Sequence, residues 1–192
     1  MDYKSLAAKL GIKEAVLRAV VDVESQGDGF LPDGKPKILF EPHIFWKQLK
    51  AQGIDPNKVR KGNEDILYPT WQQGKYGKVS EQHTRLNRAM KINAQAAFES
   101  ASYGAYQILG NNWKSLGYLT YHEFVADAYT EEGQIDMFTR FLKINKLIPS
   151  LQKLDFNTFA LKYNGAAAAK NKYGEKINQA YKLWEDKLKP LK

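Results

Sequence analysis

Val16, Leu17, Val20 and Val23 recur at helical spacing, and the apolar stripe they draw runs into a carboxylate, Glu24. Glu24 follows Val20 by four residues and Leu17 by seven, so it extends the buried face of the helix. A carboxylate on such a face is costly unless it is paired or stays protonated. It also stands at the helix C-terminus, where the macrodipole opposes negative charge. Both effects raise a carboxyl pKa, the property a general acid needs. The plainer reading of the same segment is a partly exposed glutamate at a frayed helix end. The rest of the chain bears on which applies.

Helical spacing dominates elsewhere. Ser5 to Leu10 reads as a short helix closed by Gly11, and Lys13 to Ser25 as the helix that carries Glu24. Pro42 to Ala51 follows the same pattern, and Glu81 to Glu99 reads as one long helix. Thr120 with Glu123 forms a capping box for a helix to about Tyr129. Ile135, Phe138, Phe141 and Leu142 mark the next helix, and Asp155 or Asn157 caps one ending at Tyr163. A last helix covers Lys170 to Leu188. Between Gly27 and Glu41 the character changes. A Pro32-Asp33-Gly34 turn leads to the β-prone run Ile38-Leu39-Phe40, a small hairpin that returns Glu41 towards Glu24. Asp55 to Lys78, with two prolines and three glycines, reads as an irregular excursion. Its Tyr68, Trp71 and Tyr76 either stack on sugar rings or anchor the loop to the core.

The 192 residues, without repeat or linker, predict one domain, residues 1–192: mainly α (α+β), with the small hairpin beside the catalytic helix and a cationic C-terminal helix at about 170–189. With no cysteine, disulfides, thiolate metal sites and cysteine nucleophiles are excluded. His43, His83 and His122 are widely spaced and show no metal-ligand pattern, so neither metal nor cofactor is expected. The absence of a Gly-x-Ser-x-Gly elbow weighs against a serine hydrolase. A net charge of +8 implies an anionic partner without choosing one.

Three short elements carry more weight together than alone: Glu24-Ser25-Gln26-Gly27, Ser102-Tyr103-Gly104-Ala105-Tyr106-Gln107-Ile108, and Tyr163-Asn164-Gly165. Taken singly, the second could be a helix stop and restart and the third a bare turn. In this order they resemble the glutamate, G-x-x-Q-I and Y-N-x-G motifs of the lysozyme-like superfamily, which includes lytic transglycosylases and goose-type lysozymes. The resemblance to the single-domain N-acetylmuramidases of phage endolysins covers nearly the whole chain. It takes in Gly29-Phe30-Leu31, Asp33-Gly34-Lys35-Pro36, Ile38 to His43, Ile66 to Pro69, Tyr76-Gly77, Arg85-Leu86 and Gln107 to Trp113. Tyr103 stands where a tryptophan is common, and Ala105-Tyr106 replaces a bulkier pair.

The resemblance implies a lysozyme-like fold and hydrolysis of the β-1,4 bond between N-acetylmuramic acid and N-acetylglucosamine in peptidoglycan. Such chemistry generally uses two carboxyl groups, about 6.5–9.5 Å apart for inversion and about 5–5.5 Å for retention. Glu24 fits the acid. Glu41 is the best second carboxylate, its plainer reading being a strand-end glutamate paired with His43 or a lysine, and Asp28 and Asp33 are rivals on the hairpin. By analogy Gln107 and Tyr163 line the cleft and hold acetamido sugars or orient Glu24, Ser102 bonds near the acid, and Asn164 shapes the wall. The rival activities are a lytic transglycosylase, giving 1,6-anhydro products, and a non-catalytic wall-binding module. Peptidoglycan is the expected partner of a monomer, and nucleic acid is not. Seven lysines against three acids over 170–192, with Tyr173, Ile177, Tyr181, Trp184 and Leu188 at helical spacing, read either as a docked closing helix or as one that binds anionic envelope lipids. Without a visible signal peptide, synthesis in the host cytoplasm and holin-type release to the periplasm are expected.

Overall fold

The computed structural model describes residues 2–25, 29–165 and 171–189. The chain gathers into two compact units, one formed by Met1–Gln26 with Thr139–Lys192 and the other by Gly27–Phe138. Helices dominate both, and a small three-stranded sheet lies in the second.

In the first unit, α1 (Tyr3–Leu10) ends where Gly11 takes the left-handed conformation (φ 65°) and returns its N–H to Ala7 and Ala8 carbonyls. α2 (Glu14–Glu24) then buries Val16, Leu17, Ala19 and Val20 almost completely. The last helix, Tyr173–Lys187, packs along α2 and also against the helix Phe156–Asn164. Its inner face is Ile177, Tyr181 and Trp184. Tyr181 lies 5.6 Å from the Phe156 ring, and the Trp184 indole N–H donates to Asp22 at 2.6 Å. The Arg18 guanidinium stacks between Tyr3 (4.5 Å) and Trp184 (4.7 Å), so three helices share one cation–π contact. Docking therefore takes up Ile177, Tyr181 and Trp184 of the amphipathic pattern seen in the sequence, while Leu188 and the lysines Lys176, Lys182, Lys187 and Lys189 stay exposed.

In the second unit the turn at Pro32–Lys35 closes as expected. Leu31 N–H donates to Lys35 O at 2.7 Å, and Phe30 bridges Pro36. The run after it does not pair within a hairpin. β1 (Ile38–Phe40) pairs antiparallel with β2 (Ala101–Tyr103), with Leu39 opposite Ser102, and β2 pairs with β3 (Ile108–Leu109). The segment that could be read as a helix stop and restart is thus the central strand, which sequence periodicity cannot reveal in three residues. α3 (Pro42–Ala51) starts where the strand leaves off, and the short α4 (Pro56–Val59) follows.

The long helix expected over 81–99 is two helices, α5 (Gln82–Met90) and α6 (Ala94–Glu99). Asn93, extended at φ −158°, breaks the ladder and accepts the Ala96 N–H at 2.8 Å. Its side chain competes for backbone donors, the reason Asn favours caps over helix interiors. α7 (Tyr121–Ala128) is capped by Thr120, whose hydroxyl accepts the Glu123 N–H at 3.2 Å. The expected box is only half formed, because the Glu123 carboxylate takes the N–H of Leu119 (3.0 Å) and not that of Thr120. Then come α8 (Glu131–Ile144), α9 (Ile148–Gln152), α10 (Phe156–Asn164, capped by Asp155) and α11, the last helix.

Two buried glutamines hold the irregular parts of the second unit. Gln134, 4% exposed, accepts the Ala105 N–H at 2.8 Å and donates to Ala128 O (2.8 Å) and Gly29 O (3.3 Å). A Cβ on Gly104 (φ 72°) would stand 2.5 Å from its amide carbon, so the strand turn needs glycine there for space and for conformation. Replacing Gln134 by Ala removes the partner of the Ala105 N–H and of Ala128 O, while Gly29 O keeps the Lys37 N–H. Urea unfolding of Gln134→Ala should show a loss of about 2–3 kcal/mol.

Candidate active site

Glu24 is the last residue of α2 and only 6% exposed. Burial pushes its carboxyl up to about 7, from an ordinary value near 4.5. One group opposes that shift. The Asn164 amide donates to both carboxylate oxygens, at 3.0 and 3.2 Å, and so favours the charged form. Asn164 ends α10, where Gly165 at φ 68° leaves the helix. The carboxyl is thus held in orientation by a neutral donor, and among the described residues no cation bonds to it. Such a group is protonated in mildly acidic water and ionises near neutrality, as a recyclable proton donor must.

Glu41 sits between β1 and α3. Its N–H extends the sheet by donating to Ser100 O at 2.9 Å, and it is the N-cap residue of α3. Its carboxylate, 21% exposed, accepts from the Tyr76 hydroxyl at 3.3 Å and lies 3.8 Å from His43 Nε2. The phenol is pushed up to about 12 by burial and by the Glu41 charge, so it stays protonated and remains a donor. Gln82, 1% exposed, fixes both flanks of this contact. It accepts the Phe40 N–H at 3.0 Å and donates to Tyr76 O (2.6 Å) and Lys78 O (3.1 Å).

The other expected site residues fall as follows. Ser102 is buried in the central strand. Gln107, half-buried at φ 48°, donates its amide N–H to Gly104 O at 2.8 Å and so braces its own turn. Tyr163 is half-buried, stacked on Phe159 and edge-on to Phe141. The bond that orients Glu24 comes from Asn164, for which the sequence resemblance implies only a place in the wall. Asp33 is taken up in its turn, accepting the Lys35 N–H and ion-pairing Lys35 at 2.7 Å, which pulls its carboxyl below the ordinary range. Asp28 lies outside the described residues. Sequence reasoning missed Gln82 and Gln134, because a buried amide on a helix leaves no periodic signal. It also missed Glu99, a buried carboxylate that accepts from Gln95 (2.9 Å) and Trp113 (2.8 Å).

A mainly helical chain with a small antiparallel sheet, holding a buried glutamate at a helix end, has the lysozyme-like architecture. The model of the N-acetylmuramidase family matches residues 13–185, and the chain belongs to that family. Among solved structures it is similar to the Burkholderia AP3 phage endolysin, with 35% identity and a TM-score of 0.89 over 96% of this chain and 70% of that one. No curated protein matches the chain.

Removing the Asn164 donor raises the Glu24 carboxyl further, because only the ionised form gains from that bond. The upper pH limit of activity should therefore move higher in Asn164→Ala, by about one unit or less, in a pH–rate profile.

Proposed function

We propose that this peptidoglycan-degrading endolysin hydrolyses the β-1,4 bond between N-acetylmuramic acid and N-acetylglucosamine. Glu24 is the general acid that protonates the leaving oxygen, and Glu41 is the base or electrostatic partner. The observation that carries the reading is the desolvated Glu24 carboxyl, poised near 7 with an amide donor across both oxygens. Glu41 is supported as the second carboxylate by its phenol donor and by its partial exposure, which leaves it open to water. Ser102, Gln107, Tyr163 and Asn164 are proposed to contact or position substrate, Asn164 through Glu24. The family match runs through both compact units, which supports treating residues 1–192 as one muramidase domain.

The protein acts as a monomer, needs no cofactor and does not use nucleic acid. Among the described residues no helix is long and apolar enough to cross a membrane, and passage to the wall is proposed to follow holin-type release. Attraction of α11 to anionic envelope lipids would be mainly electrostatic, since Ile177, Tyr181 and Trp184 are docked and its lysines are exposed. Co-sedimentation of the whole protein with anionic vesicles should therefore be lost in high salt; binding that persists in high salt contradicts a purely electrostatic contact.

Glu24 also links activity to stability. Its raised carboxyl favours the folded state while protonated, and that contribution is complete below about 4.5 and lost as pH rises through about 7. Glu24→Gln should gain thermal stability over wild type more at pH 8 than at pH 5. Mass spectrometry of digested sacculi tests the reaction itself. Reducing muramic acid ends are expected, with at least about a thousand-fold loss in Glu24→Gln. Anhydro ends throughout would overturn the hydrolase reading in favour of a transglycosylase.

A further inference from the structure

The excursion between α4 and α5 has little regular structure, yet it is strapped at several points. Ile66, Leu67 and Tyr68 are buried to 2% exposure or less, and they anchor its first half. The Arg85 guanidinium donates to Asp65 O at 2.7 Å and Lys75 O at 3.3 Å, tying the two ends of the loop together. Arg88 holds Asp65 through two bonds of 2.7 and 2.9 Å, and Gln82 holds Tyr76 O and Lys78 O. Of the three aromatic residues, Tyr68 is the core anchor and Tyr76 faces Glu41.

Trp71 does neither. It is 57% exposed, within a loop that six side-chain hydrogen bonds to its flanks keep in place. A single exposed aromatic is ordinary on a protein surface. This one stands in the same strapped loop as Tyr76, five residues before it, and the Tyr76 hydroxyl donates to the Glu41 carboxylate at 3.3 Å. The loop that bonds a phenol to the Glu41 carboxylate therefore also presents an indole to solvent. A pyranose ring presents an apolar C–H face and a polar rim. A flat, pre-positioned indole beside hydrogen-bonding groups is complementary to both. The straps remove most of the ordering cost of binding, because the loop is already in place.

We propose that Trp71 is the stacking floor of a sugar subsite that takes one N-acetylhexosamine ring of the glycan strand beside Glu41. The assignment rests on the muramidase reading for its ligand. It concerns binding, so it can be tested without turnover. Tyr76 ties the loop that carries this floor to the carboxylate, and Gln82 fixes that contact by holding the backbone on either side.

The test uses the inactive Glu24→Gln protein with purified sacculi in a pull-down, so that binding is read apart from cleavage. Adding Trp71→Ala should weaken binding about ten-fold, with an unchanged melting temperature, and Trp71→Phe should restore most of it. Leu119→Ala, at a residue 84% exposed elsewhere on the same unit, serves as the surface control and should bind normally. If Trp71→Ala does not fold, titration of the wild-type protein with the N-acetylglucosamine tetramer gives the answer. A saturable change in tryptophan fluorescence that Trp71→Phe abolishes supports the subsite. Unchanged affinity in Trp71→Ala, no sacculus binding by Glu24→Gln, or a titration that Trp71→Phe leaves intact would each overturn it. Anhydro products or an active Glu24→Gln would sink the catalytic reading and leave this binding result standing.

Discussion

A carboxyl group withdrawn from water at the end of a helix is the constraint around which the first unit is arranged. Full ionisation of Glu24 at neutral pH would work against folding by up to about 3 kcal/mol, the free-energy equivalent of its rise from near 4.5 to about 7. The packing of α1 and α11 along α2 contributes the apolar burial that tolerates it. The Asn164 amide then sets how far the shift goes and which way the carboxyl points. A lysine or arginine in its place would hold the group ionised and remove its use as an acid. A neutral amide orients it and leaves the proton exchangeable.

In the second unit the same device, an amide side chain, serves packing. Gln134 and Gln82 are each buried, each makes three bonds to backbone groups, and each joins segments far apart in sequence. Loops cannot satisfy their own backbone groups as helices do, so a compact unit with long irregular stretches needs such cross-braces. Glu41 and its phenol partner depend on one brace, and the turn carrying Gln107 leans on the other through Ala105. The unusual backbone of Gln107 (φ 48°) lies in that braced turn and is held by a bond to Gly104 O.

Much of this was legible in the sequence, for reasons that differ by element. α2 and α3 stood out because their apolar spacing is regular and their ends carry glycine or proline signals. Glu24 stood out because it puts a carboxylate on the apolar face of α2. β2 did not, since three residues carry no period, and the break at Asn93 did not, since the apolar pattern continues across it in register. Tyr68, Trp71 and Tyr76 could be read together only as anchors or platforms. The structure divides them, because burial of one and exposure of another depend on Arg85 and Gln82, which lie on the next helix. The amphipathic C-terminal helix was legible as a pattern, and its docking through Arg18 and Trp184 is a tertiary fact.

The central claim is that Glu24 is a protonated acid under mildly acidic conditions because it is dry. The direct measurement is the titration of its side-chain carboxyl carbon by NMR in protein labelled with 13C at glutamate, with the resonance assigned by its loss in Glu24→Gln. A midpoint at about 7 is expected. A midpoint near the ordinary glutamate value of about 4.3 would contradict the account, since a carboxyl ionised throughout the working range could not deliver the proton.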